Sequence, residues 1–321
     1  MQLSTGLTAA FVLYGAALAT PAPRHGAQAI KRQAAATTFD TYVNCLNSAV
    51  AATDASCSEY TSKETGQAVA FVNNLNLQDV TAQVDTFIQG DDRLVARLIV
   101  NAAIPSTNGS ASSPVVFAKH VGLFFDAAGG LTEAHVQVDL SAIDTLATTY
   151  VDTSVYPHEA PVANVSIAAQ FAGYMKNLQA ANFAALDLYF NQQVTQGGNN
   201  FDLSNFVAIL NSSREAMPDL KLQADWIVAD EEKQQLAAYV TFNGTLNEQW
   251  DVITWATVGP SNTTIDFQEY VLYWFENGKI RRVINTLDSP AFYDDDEKTA
   301  AKRRSVARSG KSLFATKFQG F

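Results

Sequence analysis

The chain has 321 residues, 47% of them hydrophobic, and a formal net charge of −11, enough apolar material for two domains of ordinary size. The charge is uneven: residues 33–297 hold 11 Lys+Arg against 32 Asp+Glu, and residues 298–321 hold seven Lys+Arg and no acid. An acidic body argues against nucleic acid as a partner, and no apolar run reaches the roughly 18 residues of a membrane span.

Residues 1–32 read as a signal peptide and propeptide. Leu7–Leu18 is a short apolar stretch, Ala17-Leu18-Ala19 has the small-x-small form of a signal-peptidase site, and Lys31-Arg32 offers a dibasic site that would leave Gln33 as the mature start. A secreted, extracellular protein is therefore expected. Five sequons, at Asn108, Asn164, Asn211, Asn243 and Asn262, suit a glycoprotein of the eukaryotic secretory route. Cys45 and Cys57 lie twelve positions apart; in an oxidising compartment a short-loop disulfide is favoured over two free thiols. No histidines stand near them to complete a zinc site.

The periodicity predicts a helix over Phe39–Val50, then strands over Val84–Ile88 and Leu94–Val100 joined by the acidic turn Gly90–Asp92. A loop, Pro105–Pro114, leads into a hairpin whose first strand is Val115–Phe125, whose turn holds Asp126 and Gly129, and whose second strand closes at Asp139. The proline-bounded stretch Tyr156–Pro161 places a boundary near residue 155. Helices follow over Ile167–Leu178, Phe183–Phe190 and Leu203–Ala216, the last with Asp202 as candidate N-cap. The strand pattern then returns as Ala224–Val228, the acidic turn Asp230–Glu232, Leu236–Phe242 and the loop Thr257–Thr264. A second hairpin runs from Ile265–Phe275 through Glu276 and Gly278 to Asp288, and Leu131 to Asp139 is the same eight-position interval as Ile280 to Asp288. One module is used twice. The domains expected are 33–155 and 156–296, with 297–321 a basic, disordered tail. Helices followed by four antiparallel strands give an α+β class.

Four stretches of the second half, Met217–Leu220, Trp226–Asp230, Phe242–Thr245 and Tyr273–Ile280, resemble the SnoaL-like branch of the nuclear-transport-factor-2-like superfamily in their order and spacing. The likeness covers about residues 165–290; the first half shares it only through the duplication and is degenerate. With the leader and sequons, a secreted fungal member is the expectation. The resemblance implies two tandem cone-shaped curved antiparallel sheets wrapped on helices, each with an apolar pocket, paired through their sheets as an internal pseudo-dimer in a monomeric chain. It also implies chemistry without a cofactor, or none at all.

Alternate side chains of a strand share a face, and the resemblance to the family's hairpin implies that the pocket face carries Phe267, Glu269, Val271, Tyr273 and Phe275 on the first strand, and Val283, Asn285 and Leu287 on the second. In the family's cyclases a histidine and an aspartate stand where this chain has Val283 and Asn285, and neither of those exchanges a proton. Glu269 is thus the candidate acid or base, with Tyr273 and Asn285 as hydrogen-bond donors to a substrate oxygen and Phe267, Val271, Phe275, Val283 and Leu287 as ligand-binding wall. The competing reading puts Glu269 in water at a wide mouth, paired with Lys279 or Arg281. In the first copy His120 and His135 fall on the opposite, sheet-pairing face. Three functions stay open: a secreted binder of a small apolar molecule, a cofactor-free cyclase, isomerase or dehydratase acting on a polyketide- or terpenoid-like carbonyl compound, and a non-catalytic secreted interaction protein. No nucleotide, flavin or metal motif appears, and metal ligation is not expected.

Overall fold

A computed structural model describes residues 25–47, 55–66, 76–105, 112–139, 143, 160–252, 256–258 and 260–287. Residues 1–24 of the expected leader, Asn108, residues 144–159, Asp288 and the basic tail lie outside the described residues. The first half opens with helices α1 (His25–Asn47) and α2 (Ala55–Thr61). Strands β1 (Glu64–Thr65), β2 (Gln78–Gln89), β3 (Arg93–Ile104), β4 (Ser113–Phe125) and β5 (Leu131–Val138) form a sheet of order β1-β5-β4-β3-β2.

The second half repeats the arrangement. Helix α3 (Ile167–Gln179), a 3₁₀ turn (Phe183–Leu188), strands β6 (Phe190–Gln196) and β7 (Asn199–Asp202) and helix α4 (Leu203–Ala216) precede β8 (Lys221–Asp230) and β9 (Gln235–Thr245). A small ribbon of β10 (Trp250–Val252) and β11 (Ala256–Val258) follows, then the hairpin of β12 (Thr264–Glu276) and β13 (Lys279–Leu287). The large sheet runs β7-β6-β13-β12-β9-β8. Both halves are thus α+β, and the tandem organisation appears as two sheets of like order.

The sequence reading needs two corrections. The sheets are mixed rather than antiparallel, because β1 runs parallel to β5 and β6 parallel to β13. The run Phe183–Phe190 is not an α-helix: it makes a 3₁₀ turn and then enters β6. The cause lies downstream, where Gly197 and Gly198 both take positive φ (53° and 86°). Such a pair makes a two-residue hairpin turn, so the residues before it extend into a strand. Asp202 does precede α4, but its side chain makes no cap bond and accepts from Gln193 across the β6–β7 ladder instead.

The duplication reaches into the irregularities. Register shifts fall between Val84 and Thr86 on β2 and between Ala224 and Trp226 on β8, at matching positions. A second pair falls between Phe124 and Phe125 and between Trp274 and Phe275. The helical fronts match too, with Phe39 and Tyr42 of α1 buried in the first core as Phe171 and Tyr174 of α3 are in the second. Ser166 caps α3 through its hydroxyl, and Glu231, in the β8–β9 turn, accepts from the backbone N–H groups of Ile167 (3.0 Å) and Ala168 (3.3 Å). A carboxylate at a helix N-terminus also meets the positive end of its dipole. The bridge Cys45–Cys57 joins α1 to α2.

The faces away from the helices meet each other. Ile88 and Val95 of the first sheet pack in one buried cluster with Val228, Ala237, Leu272, Trp274 and Ile284 of the second. Polar bonds fix the register: the Tyr270 hydroxyl donates to the His135 carbonyl (2.9 Å), and Gln137 Nε2 donates to the carbonyls of Thr286 (2.8 Å) and Gln268 (3.1 Å). His120 is fully buried against the Tyr270 ring, and burial holds its imidazole well below the usual histidine range. It is therefore neutral at pH 7 and serves as packing. Gly122 lets the sheets approach, since a Cβ there would stand 2.7 Å from the Tyr270 hydroxyl and 3.0 Å from Trp226.

Two stability predictions follow from this packing. Gly122→Val should destabilise the protein by about 1–3 kcal/mol, as overpacking does, seen as a lowered denaturation midpoint. Cys57→Ser should cost about 3 kcal/mol by the chain-entropy argument for a short loop; an unchanged midpoint would mean that the bridge is not formed in solution.

Candidate functional site

The site is built on the helix-facing side of the second sheet. Register pairs Glu269 with Leu287, Val271 with Asn285 and Tyr273 with Val283, which puts these side chains on one face as alternation requires. Helices α3 and α4 close that face. Arg214 of α4 holds them together by donating to the carbonyls of Gln179 (2.9 Å) and Leu178 (3.2 Å) at the end of α3, and to that of Leu220.

Between helices and sheet lies a pocket of about 100 Å³. A single water needs roughly 10–15 Å³ on this measure, so the space admits several waters or a small organic molecule. Its walls are mostly apolar: Leu178, Phe183, Ile209, Leu210, Leu220, Leu222, Phe242, Trp250, Phe267 and Leu287. The polar lining is Tyr174, Gln196, Ser213, Arg214, Glu269 and Asn285.

Of the residues singled out from sequence, Glu269, Asn285, Phe267 and Leu287 line this pocket, and Val271, Tyr273, Phe275 and Val283 do not. Those four are buried in the core that backs it. Their deeper position follows from the helices, because Phe171 and Tyr174 of α3 lie across that end of the strand; Tyr273 sits 5.3 Å from the Phe171 ring and 6.3 Å from that of Tyr174. Trp250 is also part of the pocket wall, its ring tilted against that of Phe267 at 5.6 Å between centroids.

Glu269 has no cation beside it among the described residues. Lys279 donates to the Asp187 carbonyl, and Arg281 to the Gln193 carbonyl while pairing with Glu276. The Glu269 carboxylate instead accepts from Asn285 Nδ2. Gln196 Nε2 in turn donates to Asn285 Oδ1 at 3.2 Å. Part of the Glu269 surface remains open, as its place on the pocket wall requires, yet protein surrounds it on the other sides. Burial pushes its carboxyl from 4.5 up to about 7, against the opposing pull of the Asn285 bond. Burial also raises the Tyr174 and Tyr273 hydroxyls, which share a hydrogen bond, so both are neutral donors near the carboxylate. A carboxyl that gains and loses its proton near pH 7 beside an apolar pocket can act as a general base or acid.

The same positions in the first half are filled differently. Lys119 occupies on β4 the place of Glu269 on β12, since it pairs with Val138 as Glu269 pairs with Leu287. Glu64 lies opposite Ala134, as Gln196 lies opposite Val283, at matching points of the two hairpins. Lys119 Nζ and Glu64 Oε1 form a largely buried ion pair at 2.7 Å, and the Tyr42 hydroxyl donates to the same oxygen at 2.6 Å. The sequence reading missed this pair, because Glu64 falls in an irregular stretch and its strand is only two residues long.

The comparisons with known proteins bear on the second half. Residues 168–294 match the family model described as SnoaL-like polyketide cyclase. This segment is a SnoaL-like domain. Solved structures similar to the chain include a SnoaL-like polyketide cyclase from Agrobacterium tumefaciens, 28% identical, covering 39% of this chain and 94% of its own, with a TM-score of 0.35. A putative polyketide cyclase from Acidithiobacillus ferrooxidans is 17% identical over 44% of this chain and 99% of its own, with a TM-score of 0.33. AclR, a putative hydroxylase from Streptomyces galilaeus, is 16% identical over 38% of this chain and 91% of its own, with a TM-score of 0.32. No curated protein matches the chain. Among the described residues no group of His, Cys, Asp or Glu could hold a metal ion, and no helix is long and apolar enough to cross a membrane.

The ion pair gives a direct prediction. Lys119→Met leaves Glu64 buried without its cation and should destabilise the first half by about 3–5 kcal/mol, whereas Lys119→Met with Glu64→Gln should recover most of that loss. Chemical denaturation of the two variants checks it.

Proposed function

We propose that the second half is a cofactor-independent general acid–base catalyst for a small carbonyl compound, of the isomerase, cyclase or dehydratase type. The observation that supports this best is Glu269, whose carboxyl lines the pocket with a neutral amide partner and is pushed up to about 7. In its ionised form the carboxylate would take a proton from the carbon beside a carbonyl. The C–H electron pair moves into the carbon–carbon bond, and the carbonyl oxygen receives the charge as an enolate. The same carboxyl then returns the proton to another atom of the substrate, so no other reactant is consumed. Asn285 orients the carboxylate, and Tyr174, itself on the pocket wall, is the phenol available to the enolate oxygen. Tyr273 acts behind Tyr174 rather than on the substrate.

The binding reading, a small apolar molecule held without chemistry, draws on the predominantly apolar wall. The two differ in what Glu269 does. In the wider proposal the halves are cones joined as an internal pseudo-dimer in a monomeric protein, the first half being structural. The leader, the sequons and the Cys45–Cys57 bridge support secretion as a glycoprotein. Of the described sequons, Asn164 and Asn262 are exposed, whereas Asn211 and Asn243 are half-buried and the Asn211 amide is engaged by Glu215. Glycans are accordingly expected at Asn164 and Asn262 before the other two.

For the base, α-proton exchange of small ketones in D₂O should rise with pH through a midpoint near 7 and level off above it. Glu269→Gln should lower the rate by about 10²–10⁴-fold with the fold retained. An unchanged rate would overturn the assignment. Stability should move the other way with pH. A carboxyl with a raised folded value holds its proton more tightly folded than unfolded, so its contribution is complete below pH 4.5 and is lost as pH rises towards 7. The span is at most about 3 kcal/mol, less where pocket water screens the charge. Glu269→Gln should remove this part of the pH dependence, measured by urea denaturation at pH 5 and pH 8.

A further inference from the structure

Two amides are joined in series to the Glu269 carboxylate. Asn285 Nδ2 donates to Glu269, and Gln196 Nε2 donates to Asn285 Oδ1 at 3.2 Å. The three side chains come from three adjacent strands, because β13 lies between β12 and β6. An ionised carboxylate only accepts hydrogen bonds, so while Glu269 is charged Asn285 must turn its Nδ2 towards it and leave Oδ1 for another donor. Gln196 supplies that donor. It is only 7% exposed, so its side chain is held by packing.

The first half links the same positions in another way. There Glu64 stands in the place of Gln196, Lys119 in that of Glu269 and Val136 in that of Asn285, since Val136 pairs with Val121 as Asn285 pairs with Val271. A valine side chain carries no hydrogen bond, and Glu64 reaches Lys119 directly at 2.7 Å. In both halves the residue on the parallel strand is coupled to the ionisable residue on the first strand of the hairpin. The coupling is direct in the first half and passes through one amide in the second.

We propose that Gln196 is a positioning residue for the base: through its bond to Asn285 Oδ1 it holds the Asn285 amide against the Glu269 carboxylate and so supports the proton-accepting form of that group. The inference rests on the proton-transfer reading above for what Glu269 does. A donor on Oδ1 polarises the Asn285 amide and strengthens the bond that its Nδ2 makes. That gain is larger when the acceptor is charged, because charge-assisted hydrogen bonds are about twice as strong as neutral ones. The chain of amides thus opposes the burial that raises the carboxyl. The other groups that bear on Glu269 are engaged elsewhere. The Tyr174 hydroxyl from α3 and the Tyr273 hydroxyl from β12 share a hydrogen bond and are neutral at pH 7. Arg214 of α4, the other charged residue on the pocket wall, is bonded to the carbonyls of Leu178, Gln179 and Leu220.

The test is an NMR titration of the Glu269 carboxyl in the full-length protein with ¹³C-labelled glutamate, for the wild type, Gln196→Leu, Asn285→Leu and the double variant. Methionine serves at either position if a leucine variant does not fold. Asn285→Leu should raise the midpoint by about one pH unit, the scale of one hydrogen bond to a charged group. Gln196→Leu should raise it by about half a unit, the part that passes through the amide. In the Asn285→Leu background the Gln196 change should add nothing, whereas a general loosening of the pocket would act with or without Asn285. The pH profile of α-proton exchange should move upward with the Gln196→Leu midpoint. A midpoint that is unchanged or lowered in the folded Gln196 variants overturns the proposal. A Gln196 effect of equal size with and without Asn285 also overturns it. Shifted midpoints without α-proton exchange by the wild type would count against the proton-transfer reading alone and leave the action of Gln196 on Glu269 standing.

Discussion

A carboxylate placed on the inner face of a sheet must be neutralised by a cation, protonated or kept in contact with water, because the apolar surroundings penalise its charge. The two halves of this protein meet that constraint in opposite ways. The first half uses Lys119 against Glu64 with Tyr42 as a further donor. The second half offers Glu269 only an amide from Asn285, so its proton affinity rises and a pocket stays open beside it. One module with two solutions is why the carboxyl with raised proton affinity and the pocket beside it lie in the second half.

The other faces join the two halves. Each large sheet is covered by helices on one side and by its counterpart on the other, with His120, His135 and Tyr270 at the contact. That contact fixes β12 from behind, since Tyr270, Leu272 and Trp274 point into it while Phe267 and Glu269 point away. Alternation along one strand therefore links the interface to the site. The first half thus packs behind the strand that carries Glu269.

Much of this was legible in the sequence. The matching hairpins gave the duplication, and strand alternation put Glu269 and Asn285 on the face away from Tyr270, where they are found. Sequence pattern stops at the face, however. Which residues of that face reach the pocket depends on where the helices lie, and α3 covers Tyr273 and Val271 while leaving Glu269 open. Gln196 is hidden in the sequence because the helical spacing of Phe183–Phe190 masks the strand that follows it; the Gly197-Gly198 pair is the available signal. The partnership of Glu64 with Lys119 joins positions 55 residues apart through a two-residue strand, and no local pattern marks it. Trp250 carries no periodic signature and joins the pocket through the loop that folds β10 against α4.

The account turns on the charge state of one side chain, and that can be read directly. With ¹³C-labelled glutamate and Glu269→Gln to assign the resonance, the Glu269 carboxyl should titrate near pH 7 in the ligand-free protein, well apart from the exposed glutamates. A midpoint below pH 5 would mean that the carboxyl is solvated or paired as an ordinary surface acid, and would contradict the proposal that it acts as a base in an apolar pocket.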